Sequence, residues 1–318
     1  MYEEFFNLSE RPFSLRPDPA FLYMGKHHRQ ALTMLNYGLR SEAGITVITG
    51  EVGSGKTTLI HHVLDRLDND ITVGLISNTH EAFGELLEWV LMAFGLDYRG
   101  KTKTELYQVF SDFLIEEYSK NKRTVLIIDE AQNFGAETLE ELRMLSNINS
   151  GKHMVLQLVL VGQPELLETM RRPELRQLAQ RVSVDYHINR LTVKDTIDYI
   201  RYRIEHAGGD PDIFLRSACA VVHYYSRGIP RLINTLCDFA LVYAFADEIH
   251  QIGAKMVMDV VRDKQKGGIF PMRQDEDEEA ARIRTQLKQK LNLDIKPMLA
   301  KKDIFNNVES SKEIEDLF

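Results

Sequence analysis

The sequence predicts an α/β fold: a parallel five-stranded sheet covered by helices, followed by a small all-helical domain and a polar tail. Three observations carry this. From about Ile45 to Ile188, short β-branched runs alternate with longer segments of helical spacing, as in sheets built from strand–helix–strand units. The runs are almost continuously apolar, as in Val-Leu-Ile-Ile at 125–128, which suits strands buried on both faces. Beyond Asn189 the strand signal stops and glycine-punctuated helical segments take over.

The expected strands are Ile45–Thr49, Ile71–Ser77, Thr124–Asp129, Leu156–Gly162 and Val182–Ile188. Between them, Leu59, Ile60, Val63, Leu64 and Leu67 have helical spacing, as do Leu86, Leu87, Val90, Leu91 and Phe94, and these faces are expected to pack on the sheet. Trp89, Phe83, Phe94, Phe110 and Phe113 also fall at helical spacings and read as core rather than as a platform for stacking bases. The later helices are expected over Thr192–Ala207, Phe214–Ser226, Arg231–Ala246 and Ala254–Lys264, separated by Gly208-Gly209, Gly228 and Gly253. The organisation read from this is an N-terminal segment (1–44), a core (45–189), a helical domain (190–266) and a polar, largely disordered tail (267–318). Within the tail, an acidic run at 275–279 precedes one expected helix, Glu279–Leu291.

Composition narrows the class. A chain of 318 residues, 44% hydrophobic and 27% charged, accommodates one large domain and a satellite. Its two cysteines, Cys219 and Cys237, sit in helical segments and argue for a reducing compartment, so a cytoplasmic location is the expectation. No run approaches the length of a membrane span, and the acidic start lacks the basic and apolar regions of a signal peptide; membrane insertion is not expected. A net charge of -8 disfavours general nucleic-acid binding, although a local basic patch would not show in the total.

The strongest motif spans Gly50, Glu51, Val52, Gly53, Ser54, Gly55, Lys56, Thr57 and Thr58. It fits G-x-x-x-x-G-K-[ST] and stands between an apolar strand and an amphipathic helix. Glycines there let backbone N–H groups turn onto phosphates, and the helix N-terminus adds a favourable dipole. Lys56 is expected to neutralise β/γ-phosphate charge and Thr57 to ligate magnesium. A second strand ends in Asp129 and Glu130, whose side chains strand alternation sends to opposite faces, implying two jobs. In a P-loop ATPase the aspartate helps hold Mg²⁺ and the glutamate polarises the attacking water. A third strand ends at Gln163, placed by the strand-end rule near the same crevice as a candidate sensor of the γ-phosphate; a Gly-x-Pro turn that simply closes the strand is the alternative.

Two arginine sites follow. Arg181 precedes the last core strand, after Arg171, Arg172 and Arg176 on a helical stretch, and its guanidinium suits an arginine finger reaching a neighbouring subunit's nucleotide; Arg172 and Arg176 read as solubilising. Arg231 follows Pro230 at a helix start, where a cation is disfavoured unless it has a partner such as a phosphate. His27, His28, His61 and His62 lack metal-ligand spacing. The segment Phe13–Pro19 reads as extended chain that would lie near a nucleotide base.

The ordered set of phosphate loop, Asp-Glu strand, polar strand end, arginine before the last strand and Gly-x-Pro-Arg in a helical domain resembles AAA+ ATPases. The opening Met-Tyr-Glu-Glu-Phe-Phe, with Pro12-Phe13, Pro17-Asp18-Pro19, Phe21-Leu22-Tyr23 and His28-Arg29-Gln30-Ala31, is similar to the general secretion pathway protein A (ExeA-like) group over roughly residues 1–266. The resemblance implies a P-loop AAA+ core with a helical lid, ATP and Mg²⁺ as ligands, and a homo-oligomeric ring or filament. Position by position it makes Lys56 and Thr57 the Walker A pair, Asp129 and Glu130 Walker B, Gln163 sensor 1, Arg181 a finger acting in trans and Arg231 sensor 2. Members of that group typically continue through a transmembrane helix into a peptidoglycan-binding domain, whereas this sequence passes into its polar tail.

Two active functions compete on this basis, beside a nucleotide-dependent scaffold with little turnover. One is an ATPase that energises or regulates a bacterial envelope system, secretion or exopolysaccharide export, peripheral to the inner membrane through its partners. The other is a DNA-binding regulator of transposition similar to the TnsC group, which the arginines at 171–181 favour and the net charge opposes. The tail sequence Glu-Ile-Glu-Asp-Leu-Phe at 313–318 suits either docking in a basic-rimmed apolar groove of a partner or simple solubilisation.

Overall fold

A computed structural model of the chain describes residues 1–41, 44–77, 85–150, 153–267 and positions 281, 282, 284, 285, 288 and 289. These last positions are helical, within the expected Glu279–Leu291 helix. The rest of the tail and Phe83 lie outside the described residues. The chain divides into two compact units. One contains Lys26–Val52 and Lys56–Asn189; the other contains Met1–Gly25, Gly53–Gly55 and the residues from Arg190 onward.

The first unit is built on five parallel strands, β1 (Ile45–Gly50), β2 (Ile71–Ile76), β3 (Arg123–Ile128), β4 (Leu156–Gly162) and β5 (Val182–Ile188). They lie in the order β2-β3-β4-β1-β5. In β3, Leu126 and Ile128 join the cluster that buries Leu91, Phe110 and Leu142, while Val125 and Ile127 on the opposite face are equally buried. Burial on both faces explains why these strands read as unbroken apolar runs, with each such side chain contributing roughly 1.5–3 kcal/mol.

Helices in this unit include α1 (Lys26–Arg40), α2 (Lys56–Leu64), α3 (Leu86–Ala93), α4 (Lys103–Ser119), α5 (Ala136–Leu145), α6 (Pro164–Met170) and the short α7 (Arg176–Ala179). Thr102 and Glu105 close a reciprocal capping box at the start of α4, satisfying backbone donors that the helix leaves free. Phe94, Phe110 and Phe113 form one ring cluster, with centroids 5.2–6.4 Å apart, in the core as expected. An antiparallel ribbon pairing Asn149–Ser150 with His153–Met154 was not foreseen; two-residue strands carry no periodic signal.

The second unit packs α8 (Val193–His206), α9 (Arg216–Ser226), α10 (Pro230–Ala246) and α11 (Ala254–Gly267). Its core also takes in the N-terminal residues Tyr2, Phe6, Leu8, Phe13 and Phe21. Residues 1–25 therefore belong to the helical unit and α1 to the sheet unit, where the sequence reading drew one segment, 1–44. Arg203 anchors this arrangement. Its buried guanidinium donates to the carbonyls of Pro12 and Ser14 and lies 4.6 Å from the centroid of the Phe21 ring. No helix among the described residues is long and apolar enough to cross a membrane.

Candidate nucleotide site at the strand ends

The loop after β1 turns because Gly53 and Gly55 take φ of +78° and +97°, a region closed to most residues with a Cβ. The turn delivers Lys56 to the start of α2, buried at 5% exposure. Its ammonium donates to the carbonyls of Gly50 at 2.8 Å and Glu51 at 3.0 Å. Burial lowers its pKa, and the negative charges of Glu130 and Asp129 oppose that shift. The next residue, Thr57, donates its hydroxyl to Asp129 Oδ2 at 2.7 Å.

Asp129 stands just beyond β3, with its own N–H bonded to the Ile76 carbonyl at 2.8 Å. β3 thus ends one residue earlier than the sequence suggested, and this changes the account of the two carboxylates. Strand alternation does not separate them. Glu130 adopts the left-handed conformation, φ 56° and ψ 34°, so the extended backbone ends between the two carboxylates. A non-glycine residue held there stores of order 1–3 kcal/mol of strain, which the surrounding bonds must offset. The N–H of Glu130 donates to Asp129 Oδ1 at 2.9 Å.

Because β4 lies between β1 and β3, its end falls between the phosphate loop and the two carboxylates. Gln163 there donates its side-chain amide to Glu130 Oε2 at 3.1 Å, so it is part of a polar cluster as well as the residue before α6. Gln132, which the sequence reading passed over, also donates to Glu130 Oε2, at 2.7 Å. The only signal for it was its position two residues after a motif carboxylate.

Lys56, Thr57, Asp129, Glu130 and Gln163 thus come together within the sheet unit. In the helical unit, the N–H of Arg231 donates to the Gly53 carbonyl at 3.1 Å, with Pro230 at the first position of α10 as expected. Arg181 stands apart from this group. It precedes β5 at the end of the sheet opposite the loop and donates to Ser146 Oγ at 3.2 Å. Arg171, Arg172 and Arg176 do not share one helix: α6 and α7 are separate, and the three arginines line a cavity of about 420 Å³ together with Val47, Leu167 and Asp185. Phe13, expected in an extended stretch, is buried against Phe214.

Residues 39–170 match the family model described as an AAA domain. Together with the five-stranded parallel sheet and the loop at its strand ends, this makes the chain a member of the AAA+ P-loop proteins. Within them it falls with the general secretion pathway protein A (ExeA-like) group: it is 42% identical over 253 residues to General secretion pathway protein A of Aeromonas hydrophila, covering 79% of this chain. The match takes in 46% of that protein, so the chain spans about half the length of the curated relative.

Among solved structures, the ORC2 protein of Aeropyrum pernix in ADPNP–ADP complexes is similar with a TM-score of 0.58 at 18% identity, covering 90% of this chain and 85% of that one. Cdc6p of Pyrobaculum aerophilum gives 0.61 at 16% identity, covering 83% and 73%. At these identities the likeness concerns the fold.

Proposed function

We propose that the chain is an oligomeric ATPase that hydrolyses Mg-ATP to energise or regulate a bacterial envelope system, with the ATP site completed between subunits. The observation that carries the proposal is the convergence of Lys56, Thr57, Asp129, Glu130 and Gln163 at the carboxyl ends of β1, β3 and β4.

The donor set suits magnesium. The Thr57 hydroxyl and the Asp129 carboxylate are adjacent hard oxygen donors, and Mg²⁺ is commonly held by one or two protein oxygens with phosphates and water supplying the rest. When bound, the ion neutralises charge on the β- and γ-phosphates. The loop N–H groups and Lys56 cradle those phosphates. Glu130 takes a proton from water as its oxygen bonds to the γ-phosphorus and the bond to the bridging β–γ oxygen breaks, giving ADP and phosphate. Gln163 has the role of sensor 1, Arg231 that of sensor 2, and Arg181 serves a neighbour's site. Similarity to a secretion pathway protein supports the envelope assignment, whose partners dock on the helical lid or tail.

Hydrolysis by Glu130→Gln, Arg181→Ala and their mixture tests this reading. Each variant alone should be at least about a hundredfold slower, the scale of a lost general base or finger. Mixing them should restore part of the rate, because some subunit pairs then hold an intact Glu130 opposite an intact Arg181. An Arg181→Ala protein as fast as the parent would move the finger to Arg172 or Arg176, and an active Glu130→Gln protein would remove the catalytic assignment.

A further inference from the structure

The amide of Gln132 forms a bridge between two site residues. Its Nε2 donates to Glu130 Oε2 at 2.7 Å, and its Oε1 accepts the backbone N–H of Gln163 at 2.9 Å. The partners fix the amide's orientation. A backbone N–H only donates, so the atom facing it is the oxygen, and the nitrogen then faces the carboxylate. With the 3.1 Å bond from the Gln163 side chain to the same Glu130 oxygen, the three residues close a ring of hydrogen bonds.

The backbone is built around this ring. Gln132 sits in the 3-10 turn Ala131–Asn133, which follows the left-handed Glu130 and turns its side chain back toward β4. The last residue of β4 is Gly162, where an added Cβ would lie 3.0 Å from Gln132 Oε1 and 2.9 Å from Leu166 Cδ2. Absence of a side chain at 162 therefore leaves the room that the amide occupies.

We infer that Gln132 is a positioning residue that locks the Glu130 carboxylate to the end of β4, so that the base and Gln163 are presented to the nucleotide as one unit. The inference rests on the proposed roles of Glu130 and Gln163. A glutamate side chain has three rotatable bonds, and a free carboxylate would spend much of its time away from the attacking water; reaction rate falls steeply with such loss of orientation. Gln132 removes that freedom from outside the reacting atoms. When Gln163 turns its amide to phosphate, its backbone N–H still holds Gln132, and Gln132 still holds Glu130.

The test is Gln132→Met in the full-length chain, since methionine keeps the unbranched volume and discards both amide groups. The expected result is a kcat at least about tenfold lower, a KM for ATP and a fluorescent-ADP Kd within about twofold of the parent, and an unchanged melting temperature. In a double-mutant cycle, Gln132→Met added to Glu130→Gln should cost little further activity, because Gln132 acts through the Glu130 carboxylate. A parental kcat, a full further loss when Gln132→Met is added to Glu130→Gln, or a fall in melting temperature matching the loss of activity would each overturn the inference. Glu130→Gln separates the two levels: if it is inactive and Gln132→Met is not, only the bridge fails; if Glu130→Gln is active, the underlying assignment fails with it.

Discussion

Thr57 and Asp129, 72 positions apart in the sequence, share a 2.7 Å hydrogen bond between the start of α2 and the end of β3. The bond runs from hydroxyl to carboxylate, so both oxygens are held where one cation can meet them. Thr57→Ala should weaken ATP binding in magnesium by at least about tenfold, ~1.4 kcal/mol, and bring it close to the affinity measured in EDTA. Thr57→Ser, which keeps the hydroxyl, should retain the magnesium effect. Titration with a fluorescent ATP analogue, with and without the metal, checks both.

Gly53 is constrained twice, by a φ of +78° and by Arg231, whose Cβ would lie 2.4 Å from an added Cβ. Gly53→Ala should therefore cost more than the roughly 1–2 kcal/mol of left-handed backbone strain alone. Gly95 supplies the control, since it has a similar φ of +69° and open space around it. Thermal melting should place Gly53→Ala below Gly95→Ala, and equal melting temperatures would remove the steric contribution of Arg231.

His62 on α2 is buried, and its Nε2 faces Arg66 Nη1, so it must accept there as the neutral ring. Burial first, and the Arg66 charge second, push its pKa below the ordinary 6.5. A lowered pKa means the unfolded chain binds the proton more readily than the folded one. The stabilisation is thus complete above about pH 6.5 and is lost as pH falls through the lower folded value, by at most ~1.4 kcal/mol per pH unit. Melting temperatures between pH 7.5 and 5 should fall less steeply for His62→Gln, whose side-chain oxygen can accept from Arg66 without titrating.

Arg203 binds the N-terminal segment through two backbone carbonyls and the face of Phe21. Arg203→Met keeps much of the stem's packing and leaves those carbonyls without the guanidinium, at a cost of roughly 1–3 kcal/mol. Limited proteolysis should then cut within residues 1–25 earlier than in the parent. Unchanged cleavage would assign the hold on this segment to its aromatic residues, including the Phe5–His250 stack with centroids 4.1 Å apart.

Much of the fold was legible because burial on both faces leaves unbroken apolar runs, and all five core strands were placed within one residue at either end. The carboxyl ends of β1, β2 and β3 were displaced by single residues, and at Asp129 this mattered. Alternation along a strand is a local rule, and it lapses where Glu130 leaves the strand for left-handed backbone. The break between α6 and α7 escaped notice for a related reason: apolar spacing over so short a stretch does not distinguish one helix from two.

The sequence by itself determined the phosphate loop, the paired carboxylates and the helical character of residues 190–267, because each is written in contiguous residues whose spacing has a local physical cause. Tertiary structure alone decided that β4 inserts between β1 and β3, that residues 1–25 join the helical unit, and that Gln132 joins Glu130 to Gln163. Strand order and side-chain bridges depend on which distant segments bury each other's surfaces, and no local period records that choice.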